Sequence, residues 1–158
     1  MATITLHTII DVPIDRCFKL SLSIDLHQES VSNTHETAIS GVTKGIIKLN
    51  ETVTWKAKHF GFYFKMTSKI TELVYPTYFV DEMLHGPFKK IRHQHYFMNE
   101  NGNTQMIDVF DFEAPFGFIG KMDENLILIK YLKHFLFRRN HYIKKIAEGN
   151  QWHKFIGN

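Results

Sequence analysis

Cysteine is almost absent: Cys17 is the only one in the chain. A single thiol permits no internal disulfide and no cysteine-based zinc site, and it makes a reducing cytoplasm the expected location. Long apolar runs are missing as well. No segment approaches the roughly 18 consecutive apolar residues of a membrane helix, so stable membrane insertion is not expected. The opening MATITLHTIIDVP has no basic stretch leading into a long apolar one, so it is not expected to act as a secretory signal. Charge of one sign is also scarce. The 19 Lys and Arg against 16 Asp and Glu leave a net +3, too little to argue for nucleic acid, and no nucleic-acid motif accompanies it. GPFKK and FGFIG contain glycine without the spacing of a phosphate loop and read as turns at a cavity mouth. There is no G-x-S-x-G nucleophile motif, and no internal repeat, low-complexity tract or linker.

Aromatic residues are abundant, with 14 Phe among 158 residues. That length fits one domain, expected over residues 1–149, with 150–158 as a short, loosely held tail. ATITLHTII alternates apolar and polar residues and reads as a first strand. In DVPIDRCFKLSLS, Pro13 suits an early helical position, and Ile14, Cys17, Phe18 and Leu22 recur at helical spacing. This stripe makes Cys17 a core residue rather than a nucleophile. IDLHQESVSN reads as a second short helix, with Asp25 as its expected cap. From His35 to Glu113 the period is two. Successive strands are joined by turns, the clearest at Asn101-Gly102. PFGFIG is expected to break the last strand. Lys121 to Glu148 then reads as one long helix with Leu128, Leu132, Phe135, Leu136, Tyr142, Ile143 and Ile146 on one stripe. A one-sided antiparallel sheet needs its apolar face covered, and only this helix is long enough to do it.

Within KKIRHQHYF, alternation points His93 and His95 to the same side as Ile91 and Phe97. Asp108 shares a face with Met106, Phe110 and Phe112. An inward carboxylate among aromatics is costly unless paired, so a His–Asp108 bond is expected, raising the imidazole pKa and lowering that of the carboxyl. Asp81, Glu82 and Asp111 are further possible partners. Such a pair can orient a ligand oxygen, act as a general base or merely satisfy itself. His93, His95 and Asp108 are therefore the catalytic candidates. No cofactor is expected. No metal is expected either, because one His-x-His with no Cys pair is a weak ligand pattern. Trp55, Phe62, Phe64, Met66, Phe79, Met83, Phe97, Met106, Phe110 and Phe112 form the candidate apolar wall, and with His93, His95 and Asp108 they make the candidate ligand-binding set. Large rings and methionines adapt to varied ligands, although a solid core would use the same residues. Lys130, Lys133, Arg138, Lys144 and Lys145 read as a solvated helix face.

The order of elements, with GVTKGIIKLNETVTWKAKHFG, FVDEMLHGPFKKIRHQHYF, MIDVFDFEAPFG and the helical RRNHYIKKIAE, resembles the START-related, Bet v 1-like superfamily. More narrowly, it resembles the bacterial SRPBCC ligand-binding group that includes polyketide cyclase/dehydrase-like sequences. The resemblance spans nearly the whole chain. It implies an α+β helix-grip fold: a curved antiparallel sheet of about seven strands around a long C-terminal helix, with two short helices after the first strand. It also implies a cavity for a small apolar or amphipathic molecule between sheet and helix. Binding of such a molecule by a monomer or homodimer is the expected function. The alternatives are a cyclase- or isomerase-type enzyme using the His–Asp cluster and a regulatory protein-interaction module. A carboxylate-held histidine open to the cavity would favour the enzyme; a filled interior beside a large exposed apolar patch would favour the module.

Overall fold

The computed structural model describes residues 1–114 and 122–157, with side chains in the second segment from residue 126 onward. Strand β1 (Ala2–Ile10) is followed by helices α1 (Ile14–Ser21) and α2 (Ile24–Ser30) and a single 3₁₀ turn. Strands β2 (Thr37–Gly41), β3 (Thr52–His59), β4 (Phe62–Val74), β5 (Tyr78–His85), β6 (Lys90–Glu100) and β7 (Asn103–Glu113) follow. The chain then forms α3 (Met122–Glu148) and a short α4 (His153–Ile156). The seven strands make one antiparallel sheet in the order β1-β7-β6-β5-β4-β3-β2. Sequential strands are therefore neighbours except for β1, which crosses to the far edge to pair with β7. This is the expected α+β helix-grip architecture. The PFGFIG stretch, expected to end β7 and turn at the cavity mouth, lies outside the described residues.

Strand register sets the interior. Asn101 (φ 54) and Gly102 (φ 93) form the two-residue turn between β6 and β7; positive φ at both positions is what a type I′ hairpin requires. The turn fixes the opposed pairs Phe97↔Met106, His95↔Asp108, His93↔Phe110 and Ile91↔Phe112. All eight residues are buried. α3 packs against β1, α1 and α2, with Leu136, Ile143 and Ile146 buried. Two apolar clusters result. One gathers Phe18, Leu20, Phe79, Phe97, Met106 and Ile143 under α1. The other gathers Ile4, Ile91, Phe110, Phe112, Leu128 and Leu136.

Two local readings differ from expectation. Ser23, not Asp25, caps α2: its hydroxyl accepts from the Leu26 N–H at 3.3 Å, while Asp25 holds the Gly45 N–H at 2.7 Å. The C-terminal segment is docked rather than loose. Phe155 is buried in the first cluster, and the Arg16 guanidinium lies 4.1 Å from the centre of the Trp152 ring. Both contacts were invisible to periodicity, because they depend on where a short segment lands after α3 ends.

Candidate functional site

Between the sheet and α3 lies a cavity of about 570 Å³. Strands β3 and β4 give it Val53, Trp55, Ala57, Phe64, Met66 and Ile70, and β5 to β7 give Phe79, Ile91 and Phe110. α3 adds Leu128, Leu132, Phe135 and Leu136, all at helical spacing. Of the candidates read from the sequence, Trp55, Phe64, Met66, Phe79, Phe110, His93 and His95 line it.

The other candidates stand elsewhere. Phe62 is 70% exposed; it is on the expected face of β4 but does not line the cavity, whereas its neighbour Phe60 in the same hairpin packs on Tyr131 of α3 at 4.5 Å. Phe97 sits behind the wall, its ring centre 5.3 Å from that of Phe18. Met106 is buried there too, with the Ser21 hydroxyl 3.6 Å from its sulfur. Phe112 packs on Phe88 at 5.8 Å. Met83 packs against the second cluster. Asp108 is wholly buried behind the histidines and does not line the cavity. Alternation chose the right face for each of these; it does not say which part of that face α1 covers.

On the β5–β6 wall the cavity meets a polar cluster. His93 Nε2 donates to Asp108 Oδ1 at 2.8 Å, and His95 Nε2 donates to Asp81 Oδ2 at 3.1 Å. The two imidazole rings lie 3.8 Å apart, centre to centre. His95 Nδ1 is 3.0 Å from Asp108 Oδ1 but out of line for a hydrogen bond, so it has no hydrogen-bond partner among the described residues. Asp108 also accepts from Asn140 Nδ2 at 2.6 Å and, more weakly, from Arg139 Nη1 at 3.4 Å. Arg139 and Asn140 are both buried. The sequence reading missed them, although both lie on the α3 stripe: Arg139 is three residues after Leu136 and four before Ile143. A charged residue on an apolar stripe was the available signal.

Burial pushes the Asp108 carboxyl up, but the His93 hydrogen bond and the close imidazoles of His93 and His95 outweigh it and hold it well below the usual carboxylate range. Asp81 behaves similarly. Burial raises it, while the His95 hydrogen bond, the neighbouring imidazoles and Arg139 bring it below normal. His93 departs from expectation. Burial, and then its neighbour His95, push it down to about 4, and the Asp108 hydrogen bond opposes this only in part. Desolvation of an imidazolium therefore outweighs its carboxylate partner, and at neutral pH His93 is an uncharged donor to Asp108. Its other nitrogen, Nδ1, lies 3.9 Å from Asp81 Oδ2.

A second polar group stands near the β2–β3 edge. His27 Nε2 and Glu36 Oε1 are 2.7 Å apart, with the His27 ring over Trp55 at 4.5 Å. His59 Nδ1 pairs with the Tyr131 hydroxyl at 2.6 Å, and burial lowers the His59 pKa. All five of these residues line the cavity. Cys17 does not. It is buried, and burial followed by the Asp108 charge pushes its thiol up to about 12, which removes it as a nucleophile at neutral pH.

No family model matches the chain, and no curated protein matches it in sequence. Solved structures do match. The protein TTHA0849 from Thermus thermophilus superposes with a TM-score of 0.76 at 11% identity, covering 92% of this chain and 97% of that one. The ZhuI aromatase/cyclase from Streptomyces sp. R1128 gives 0.72 at 12% identity, covering 93% of each. Ginseng major latex-like protein 151 from Panax ginseng gives 0.66 at 13%, covering 94% and 98%. At such identities the likeness is one of fold. Seven antiparallel strands gripping a long C-terminal helix, superposable over nine-tenths of these chains, are the helix-grip fold.

Proposed function

We propose that the chain binds a small apolar or amphipathic molecule in the cavity between the sheet and α3. The observation that carries this reading is a space of about 570 Å³ with a mainly apolar wall and a few convergent polar groups. That is the usual constitution of a small-molecule site. Aromatic rings and Met66 supply contact area, while Arg139, His93, His95 and Asp81 can fix the orientation of a ligand oxygen. Among the described residues, no helix is long and apolar enough to cross a membrane.

An apolar fluorescent probe should bind with one-to-one stoichiometry and be displaced by fatty acids, polyketides or sterol-like compounds. Phe64→Glu places a charge in the wall at a half-buried position and should abolish binding while circular dichroism remains unchanged. Equal probe affinity in a folded Phe64→Glu protein would overturn the reading.

One observation favours a second reading, acid–base catalysis on the bound molecule. His93 is held by Asp108 and faces the cavity, and an uncharged imidazole oriented by a carboxylate is a competent general base. On this reading His93→Gln abolishes turnover of a linear poly-β-carbonyl substrate while probe affinity stays within a few-fold. Retained turnover in that variant would dismiss the second reading alone.

A further inference from the structure

Asp81, His93 and His95 converge in a way that binding of an apolar molecule does not use. We propose that the three form a binding site for a divalent transition metal, zinc by the chemistry of the donors, with its open position facing the cavity. One ligand atom from each lies within 4.8 Å of the other two. Asp81 Oδ2 is 3.1 Å from His95 Nε2 and 3.9 Å from His93 Nδ1. Donors around a tetrahedral zinc at about 2.0–2.1 Å stand about 3.3 Å apart, so small side-chain rotations close the set. Two imidazoles and one carboxylate leave a fourth position free, as in zinc sites that take a water or a ligand oxygen.

The groups behind the trio support this more strongly than the distances. Each imidazole lies between two carboxylates, Asp81 on one side and Asp108 on the other. A neutral ring has one N–H and can satisfy one of them. His93 gives its Nε2 proton to Asp108, which leaves Nδ1 with a lone pair on the Asp81 side, the ligating tautomer. His95 gives its proton to Asp81 and leaves a bare, buried Nδ1 beside Asp108. A cation between the rings and Asp81 resolves this conflict. His95 Nε2 then ligates, its proton moves to Nδ1, 3.0 Å from Asp108 Oδ1, and a small rotation of the ring brings that N–H into line with the carboxylate. Both ligating rings would be held by one carboxylate oxygen, the arrangement that orients histidine ligands in metal sites. Charge points the same way. With neutral imidazoles, Asp81 and Asp108 against Arg139 leave one net negative charge in a buried place, which a divalent ion offsets. The expectation of a metal-free protein came from counting one His-x-His and no Cys pair; Asp81, entering from the adjacent strand, is the donor such a count omits.

The test uses untagged protein stripped by dialysis against a chelator and titrated with zinc chloride by calorimetry, with cobalt(II) absorption as a second readout. One equivalent should bind, and cobalt should give the intense visible bands of a tetrahedral site. Asp81→Asn and His95→Gln should abolish both signals. His27→Gln, at the other polar group, should leave them unchanged. Asp108→Asn, a change behind the ligands, should weaken zinc roughly 10–100-fold. Absence of stoichiometric binding would overturn the proposal. Zinc binding that persists in folded Asp81→Asn protein would overturn it too, assigning the ion to other members of the ten histidines. Probe binding to the stripped protein is measured alongside, so that failure of the metal site is distinguishable from failure of the ligand cavity.

Discussion

Replacing Asp108 with Asn removes one charge and almost no volume, and it should be among the most damaging single changes in the molecule. Asp108 accepts from His93, Asn140 and Arg139 and is wholly buried. Asparagine offers one carbonyl and one NH₂ group. If the carbonyl takes the Oδ1 position, the NH₂ faces the Asn140 amide nitrogen head-on. In the reverse orientation it faces His93 and Arg139. Asn140 cannot simply flip, since its Oδ1 accepts from Arg139 at 3.1 Å. At least one buried donor is therefore left unsatisfied, costing about 1–3 kcal/mol. The guanidinium loses a nearby carboxylate, and breaking a buried ion pair on one side costs about 3–5 kcal/mol. His93 can recover part of this by changing tautomer. The expected net loss is about 3 kcal/mol, or roughly 6–12 °C in melting temperature for a domain of this size. Urea denaturation of the stripped protein at pH 7 measures it. The control is Asp111→Asn on the outer face of the same strand, where the partners are Thr3 and Gln94; it should cost well under about 1 kcal/mol. A loss below about 1 kcal/mol for Asp108→Asn, or equal losses at the two positions, would refute the reasoning.

Two further outcomes follow from the same structure. The His93 pKa falls from 6.5 to about 4 on folding, so between those pH values the unfolded chain binds the proton more readily than the folded one. Stability of stripped protein should be fully retained above pH 6.5 and decline by about 3 kcal/mol as pH falls to 4; urea midpoints in His93→Gln should lose most of that slope. Phe155→Ala removes a buried ring from the first cluster and should cost about 3 kcal/mol, with a loosely held C-terminal segment predicting almost none.

The parts of the site on β6 and β7 were legible because two rules sufficed. Alternation assigned His93, His95 and Asp108 to one face, and the Asn101-Gly102 turn fixed the register that opposes His95 to Asp108. Asp81 was readable only as a possible partner, because the β5–β6 connection through Gly86 to Lys89 has no two-residue turn to set register. His93↔Asp81 opposition appears only once the strands are paired. Arg139 and Asn140 were passed over because a stripe is usually read by its apolar members alone. Phe62 shows the converse limit: face is a local property, whereas coverage depends on where a distant helix comes to lie.

The placement of β1 at the far edge has a consequence for synthesis. Its partner strand is supplied about a hundred residues later; the Thr3–Asp111 bond joins positions 108 apart. At ribosomal rates of about 5–20 residues per second, ATITLHTII emerges and waits roughly 5–20 s before β7 exists to pair with it. Strands β2 to β7, each beside its sequence neighbour, can assemble as a meander meanwhile. Of these seven strands β1 is then the last to join the sheet, and the nascent chain carries an unpaired, β-prone segment until β7 emerges.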